Sequence, residues 1–96
     1  MSEEYRHLKD LLAGYFHQDW KSDHDTAIAA IECYLGEWPS GEVSMAVKEI
    51  RQLLLDTKSE DELRVTALRL GCYYEPRADA LTYREWLTSV CERLSV

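Results

Sequence analysis

The densest group of potentially reactive side chains lies at residues 16–25, FHQDWKSDHD. Its two histidines and three carboxylates are ligand types that divalent metals accept. A small metal-dependent hydrolase would use four of them: His17, Asp19, His24 and Asp25. However, the sequence has no H-E-x-x-H spacing, and His7 is the one further histidine that a metal site would have available. We therefore predict no metal and no other cofactor, and we keep the hydrolase as an alternative.

The same segment also suits a structural corner between two helices. Phe16 and Trp20 would anchor the corner in the core, while Asp19 and Asp25 would cap backbone donors at the turn into the next helix. Nucleophilic catalysis has little support, because there is no G-x-S-x-G motif and no cysteine lies close in sequence to a histidine. These patterns predict a protein that is not an enzyme.

Helical spacing of apolar residues extends along nearly the whole chain. Val43, Val47, Ile50 and Leu54, for example, follow each other at i, i+4, i+7 and i+11. No stretch shows the alternation of a strand, and the connections are short enough for neighbouring helices to pack roughly antiparallel. At 96 residues the chain is too short for two separate cores. The pattern predicts an all-α fold, a compact bundle of about five short helices in a single domain, residues 1–96.

Helix starts are marked by polar residues. Asp25 is the predicted N-cap of the second helix, and Ser59 and Thr82 each begin an S/T-x-x-E capping box. Gly71 is suited to follow the end of a helix. Residues 72–81, CYYEPRADAL, contain a proline and are predicted to form a non-helical loop.

The cysteines, the N-terminal segment and the lengths of the apolar runs indicate where the protein is located in the cell. The odd number and wide spacing of Cys33, Cys72 and Cys91 indicate free, buried thiols. The N-terminal segment is charged from its third residue and lacks the apolar region of a signal peptide. No apolar run reaches the roughly 18–20 residues that cross a bilayer. We therefore predict a cytoplasmic protein.

Charge indicates the class of partner. The 18 acidic and 11 basic side chains give a net charge of −7. Residues 1–48 contain nine acids and four bases, whereas residues 49–96 contain nine and seven. Such a surface repels nucleic acid and anionic lipid and attracts a basic protein. A plain role in solubility is the alternative reading of the same charge.

The segment 73–79, YYEPRAD, is the best candidate for an exposed anchor. Adjacent tyrosines cannot easily both face a core, and Tyr, Trp and Arg often carry the binding energy of interfaces. In the alternative, both rings cover the ends of neighbouring helices. Exposure and charge arguments together select seven contact candidates: Asp19, Asp23, Glu60, Asp61, Tyr74, Glu75 and Asp79. A single interface built from them requires the acidic first half and the 72–81 loop to be neighbours.

Several landmarks resemble a known family. Residues 14–20, GYFHQDW, are similar to the opening signature of contact-dependent growth inhibition immunity proteins. The similarity continues through SEDE at 59–62, Leu70-Gly71, a Tyr and Pro loop, and TYREWL at 82–87, so that it covers nearly the whole chain. In that family a glycine often precedes the last helix, where this chain has Ala80-Leu81.

The resemblance implies a specific role. Members of the family are cytosolic bacterial antidotes that bind, one to one, the C-terminal toxin domain delivered by a neighbouring cell, often a nuclease, and block it. The seven contact candidates would then be toxin-binding residues. The family brings no catalytic residues, and its signature transfers as a shared motif with a structural role. A helical adaptor or regulatory domain for another basic protein is the second hypothesis.

Overall fold

The computed structural model describes residues 5–57 and 59–95. These residues form six α-helices and one short 3-10 turn. In chain order the elements are α1 (Arg6–Tyr15), α2 (Trp20–Asp23), α3 (Ala27–Glu37), α4 (Ser40–Asp56), α5 (Glu60–Arg69), the 3-10 turn (Pro76–Asp79) and α6 (Tyr83–Leu94). The described residues contain no strand. The all-α prediction is thereby confirmed. The helix beyond the predicted five is the four-residue α2, which is too short to show a periodic pattern.

Helix α4 packs against both α1 and α6. Its buried face contains Val43, Val47 and Ile50, as the sequence predicts. Leu53 completes this face, whereas Leu54 is only half-buried. Helix α3 contacts α1 and α6, and α5 contacts α6. The Cα radius of gyration is 12.2 Å, close to the roughly 13 Å expected for a folded chain of about 100 residues.

The predicted helix starts are partly correct. At α6 both halves of the capping box form, with Thr82 and Glu85 bonded to each other's backbone N–H groups. At α5 only one half is present, the 3.4 Å bond from the Glu62 amide to the Ser59 hydroxyl. The cap of α3 is Thr26 and not Asp25. Thr26 has the extended backbone of an N-cap, and its Oγ1 accepts from the amide of Ala29 at 3.0 Å.

Carboxylates that are distant in sequence cap the starts of two other helices. Glu49 of α4 accepts from the amide of Leu8 in the first turn of α1, at 2.8 Å. Glu60 of α5 accepts from the amides of Tyr83 and Arg84 at the start of α6, at 2.5 and 3.3 Å. These carboxylates satisfy helix N–H groups that have no partner inside their own helix.

Residues 72–81 contain the 3-10 turn but no α-helix. Gly71, just before them, has a left-handed backbone with φ of 100°, as its place after a helix predicts. Ala80, just after the turn, is left-handed as well, with φ of 64°. Cys72 and Cys91 are buried, Cys33 is half-buried, and all three are free thiols. Burial raises the pKa of the Cys72 thiol to about 12. No helix within the described ranges is long and apolar enough to cross a bilayer.

Candidate protein-binding surface

Four aromatic rings connect the corner after α1 to the 72–81 loop. Phe16, Trp20, Tyr74 and Trp86 form this ring cluster, with centroids 4.8–5.7 Å apart in the five pairs that touch. The amide of Tyr73 also donates to the Phe16 carbonyl at 2.7 Å, which fixes the loop beside the corner. The acidic first half and the loop are therefore neighbours, as a single interface requires.

A depression of about 260 Å³ lies where the corner meets the loop. Trp20 and Tyr74 form part of its apolar lining, and three carboxylates lie along it: Asp25, Glu75 and Asp79. Tyr73 also lines the depression, and it is 60% exposed. Lys21 is the basic residue of the lining, with its Nζ 5.8 Å from the centroid of the Trp20 ring.

Buried tyrosines orient two of these carboxylates. The Tyr74 hydroxyl donates to Asp79 Oδ2 at 2.5 Å, and the Tyr83 hydroxyl donates to Glu75 Oε1 at 3.1 Å. Burial, followed by these bonds to carboxylates, raises the pKa of both tyrosines, so both hydroxyls remain protonated donors well above neutral pH. In the part of the chain that the structure describes, the second oxygen of each carboxylate has no hydrogen bond.

An apolar depression of about 290 Å³ adjoins the first one. The two share four lining residues: Thr26, Ala27, Tyr74 and Asp79. The apolar part runs between α3 and α6 over Ile31, Trp86 and Val90, and Ile28 on its edge is 51% exposed. We call the two depressions together the acidic–aromatic groove. Such a groove offers aromatic and aliphatic contacts beside negative charge, a combination that suits a protein partner.

Comparison with known proteins identifies the chain. The family model of the CdiI immunity protein matches residues 4–94, nearly the whole sequence. The chain belongs to the CdiI immunity protein family. It is also similar to a chain in the crystal structure of the CdiA-CT/CdiI complex from Y. kristensenii 33638. That similarity has a TM-score of 0.90 and 27% sequence identity, and it covers 98% of this chain and 96% of the other. A comparison with curated proteins gave no match.

Half of the segment that resembles the family signature, residues 15–20, is buried. Tyr15, Phe16 and Trp20 are core residues, and the latter two belong to the ring cluster. The Tyr15 hydroxyl donates to Glu37 and accepts from Trp38 Nε1 at 3.1 Å. Burial and the bond to Glu37 raise the pKa of Tyr15 to about 12. Packing thus accounts for the apolar part of the motif.

Polar residues of the signature form hydrogen bonds with residues nearby in the sequence. His17 Nδ1 accepts from the amide of Asp19 at 3.1 Å, and His17 Nε2 donates to Asp23 Oδ2 at 2.9 Å. The ring of His24 stacks on Tyr15 with centroids 5.9 Å apart. The four residues of the hydrolase alternative do not converge, and residues 5–57 and 59–95 contain no group of three or more metal-binding side chains. The prediction that Asp19 and Asp25 cap backbone donors is also wrong, because neither side chain makes a capping hydrogen bond.

The seven predicted contact residues lie in four places in this CdiI family member. Tyr74, Glu75 and Asp79 line the groove, and Asp19 and Asp23 are exposed on the corner beside it. Glu60 is directed to the start of α6, so its charge serves the fold. Asp61 lies in a different, shallow depression with Glu62 and Val65. None of these positions is tested as a toxin contact, and all seven remain predictions in that respect.

Tyr74 requires a correction in its exposure. The adjacent tyrosines do divide, but the exposed one is Tyr73, whereas Tyr74 is only 4% exposed. The segment is extended, so its side chains alternate: Cys72, Tyr74 and Pro76 point inward, and Tyr73 and Glu75 point outward. This period of two, together with a buried Cys72, was the signal that would have selected Tyr73. Ile28 carried no such signal, because its exposure depends on how α3 packs.

Proposed function

We propose that this chain neutralises a cognate CdiA-CT toxin by binding it one to one in the bacterial cytoplasm. The observation that carries the proposal is the match of residues 4–94 to the CdiI immunity protein family. The similarity to a chain of the CdiA-CT/CdiI complex supports it, because CdiA-CT and CdiI are the two partners named there.

Growth provides the first test. The CdiA-CT domain encoded beside this chain is expressed from an inducible promoter in bacteria, with this chain or with an empty vector. We expect growth arrest with the empty vector and normal growth with the chain. A non-cognate CdiA-CT domain serves as the specificity control, since it should arrest growth in both strains. If the chain gave no protection from its own neighbour, the proposal would be wrong.

Neutralisation is proposed to require binding alone, without catalysis. An inhibitor that acts by occupancy needs one molecule for each toxin molecule, whereas a catalytic antidote would inactivate toxin at far lower ratios. Titration of purified chain into a fixed amount of toxin, followed by measurement of the remaining toxin activity, separates the two. We expect a linear loss of activity that ends at one equivalent. Full inactivation at a small fraction of an equivalent would contradict inhibition by occupancy.

The toxin is proposed to be a basic nuclease. A nuclease holds phosphates with Lys and Arg side chains, and a protein with a net charge of −7 complements such a surface. Opposite charges also accelerate encounter, and this acceleration decreases with salt. Incubation of the toxin domain with plasmid DNA and with total RNA should degrade one of them, and an equimolar amount of this chain should prevent the degradation. Growth arrest with both nucleic acids intact would exclude the nuclease.

A further inference from the structure

We propose that the acidic–aromatic groove is the surface that receives the toxin, and that its occupant is a basic segment of the toxin domain. In this arrangement an Arg or Lys side chain lies between Asp25, Glu75 and Asp79, and an apolar neighbour on the same segment packs against Ile28. The inference rests on the proposed function and adds to it the location and the chemistry of the contact.

The exposed apolar residues of the groove support this location. Tyr73 and Ile28 are 60% and 51% exposed, and each lines a depression that is also lined by buried aromatic side chains. Large rigid side chains of this kind contribute most of the binding energy in protein interfaces. The backbone bond between Tyr73 and Phe16 and the packed rings below it hold the surface in place. Little conformational freedom is then lost when a partner binds.

The carboxylates define the charge of the occupant. Tyr74 and Tyr83 fix one oxygen each of Asp79 and Glu75, which leaves the other oxygen available to an incoming donor. Charge-assisted bonds from Arg or Lys to such oxygens are stronger and more directional than neutral ones. Asp25 supplies a third negative charge within the same depression. A basic segment is therefore the chemistry that fits.

Other depressions on the surface fit a basic partner less well. One of about 610 Å³ includes Trp38 and Val47. Among its described lining residues, Arg51 is the charged one and none is a carboxylate. Another of about 350 Å³ contains Asp61, Glu62 and the exposed Val65, but no aromatic residue lines it. The groove combines the features that these two divide between them.

Arg93 lines the apolar depression, and its Nη1 lies 3.8 Å from Glu32 Oε2. Lys21 is the residue that opposes the three carboxylates of the first depression. Its ammonium group lies near the face of the Trp20 ring, where a cation is attracted by the π-electrons. It thus occupies a place that also suits a cation of the partner and reduces the negative potential of the groove. Its removal should therefore tighten binding, which a merely structural role would not predict.

A matched pair of lysine substitutions tests the location. Ile28→Lys places a positive charge in the groove, and Val65→Lys places the same charge on α5 at a residue of similar exposure, 55%. The dissociation constant for the cognate CdiA-CT domain is measured for each by calorimetry. We expect Ile28→Lys to weaken binding by at least about tenfold and Val65→Lys to leave it within about twofold. Tyr73→Ala should also weaken binding by about tenfold, chiefly through faster dissociation.

A second matched set tests the charge. Asp25→Asn, Glu75→Gln and Asp79→Asn, combined in one protein, keep the size of the side chains and remove three charges from the groove. The control, Asp56→Asn with Glu62→Gln and Glu92→Gln, removes three charges elsewhere. We expect the first protein to bind about tenfold more weakly, with a smaller dependence on salt, and the control to lose much less. Lys21→Gln should bind several-fold more tightly than the wild type.

Backbone amide exchange of the wild-type complex provides a measurement that needs no variant. We expect toxin binding to slow exchange in residues 25–31 and 72–81. Protection confined to residues 56–69, or equal losses for the groove and control variants, would overturn the inference while leaving the proposed function intact. A wild-type chain that binds no CdiA-CT at all would overturn both. Melting curves of each variant exclude loss of folding as the cause of weak binding.

Discussion

Gly71 is the one of the four glycines at which an added Cβ would meet a neighbouring atom within 4 Å. Its φ of 100° lies in the region that glycine adopts without strain. A Cβ at this position would also lie only 2.9 Å from the Cβ of Ala13 on α1. The absence of a side chain thus allows the end of α5 to approach α1.

Gly71→Ala should therefore lower the free energy of unfolding. We expect a loss of about 1–3 kcal/mol from the left-handed backbone and the clash with Ala13, measured by urea denaturation. Gly36→Ala is the control, because an added Cβ at that helical position meets nothing within 4 Å. It should be neutral or stabilising by up to about 1 kcal/mol. Equal effects of the two substitutions would contradict the steric explanation.

At Ala80 the residue type does not suit the backbone, because a residue with a Cβ adopts a left-handed conformation. Its φ of 64° lies in the region that glycine adopts without strain. Ala80→Gly should stabilise the protein by roughly 0.5 kcal/mol, because the relieved strain exceeds the entropy that glycine adds to the unfolded state.

A thermal melt compares Ala80→Gly with a matched variant from the same turn. Ala78 does not have a positive φ, so Ala78→Gly should destabilise by about 0.5–1 kcal/mol. Destabilisation by both glycines would show that the left-handed backbone of Ala80 carries no strain.

The first turn of helix α6 is capped by a carboxylate from another helix. Glu60 of α5 accepts from two amides of α6, and Arg84 of α6 donates to the carbonyls of Leu54 and Thr57 at the end of α4. The two side chains thereby join three helix ends. Loss of either one leaves backbone groups without their partners.

Glu60→Ala should cost about 1–2 kcal/mol of the free energy of unfolding, comparable to the loss of a helix cap. Asp61→Ala is the control, since Asp61 has the same place in the first turn of α5 but is exposed and accepts no hydrogen bond within the described ranges. Urea denaturation should show a loss below about 0.5 kcal/mol for Asp61→Ala. If the two variants were equally stable, the cap from α5 to α6 would have no energetic importance.

The elements show where sequence reasoning succeeds. The long helices were predictable because their apolar stripes and the Thr82 capping box are local patterns. The roles of Glu60 and Glu49 were not, since each caps a helix that is distant in sequence. The cap of α3 is Thr26 and not the predicted Asp25, because the exact start of a helix depends on backbone angles that the sequence does not determine.

The groove was only partly predictable for the same reason. Glu75 and Asp79 follow from the composition of one loop, and the exposed tyrosine follows from its alternation. Ile28 and Asp25 join them only because the corner after α1 packs against that loop through Phe16 and Trp20. Such a contact between distant segments exists only in the folded chain.

At the scale of the whole molecule, buried tyrosines determine the response to alkali. Burial, followed by the nearby Asp10, Glu42 and Glu49 carboxylates, raises the pKa of Tyr34 from 10.0 to about 12. The folded state therefore holds this proton more tightly than the unfolded state. The resulting stabilisation is complete below pH 10 and is lost as the pH rises towards 12.

The free energy of unfolding should accordingly fall between pH 10 and 12, and Tyr34→Phe should reduce that fall by about 2 kcal/mol. The Tyr34 hydroxyl is buried and has no hydrogen-bond partner among the residues that the structure describes. Tyr34→Phe should therefore also be neutral or stabilising at pH 7. Urea denaturation at several pH values measures both effects, with the exposed Tyr73→Phe as the control. A fall as steep as that of the wild type would contradict the role of Tyr34.

The ring cluster below the groove has an optical consequence. Trp20 and Trp86 each line one part of the groove, whereas Trp38, the third tryptophan of the chain, lines a separate depression. In a Trp38→Phe protein all indole fluorescence of the chain therefore comes from the groove. A toxin segment seated there would change the polarity around both emitters and shift their spectrum. The chain thus contains its own unlabelled reporter, with which occupancy of the groove can be followed in real time.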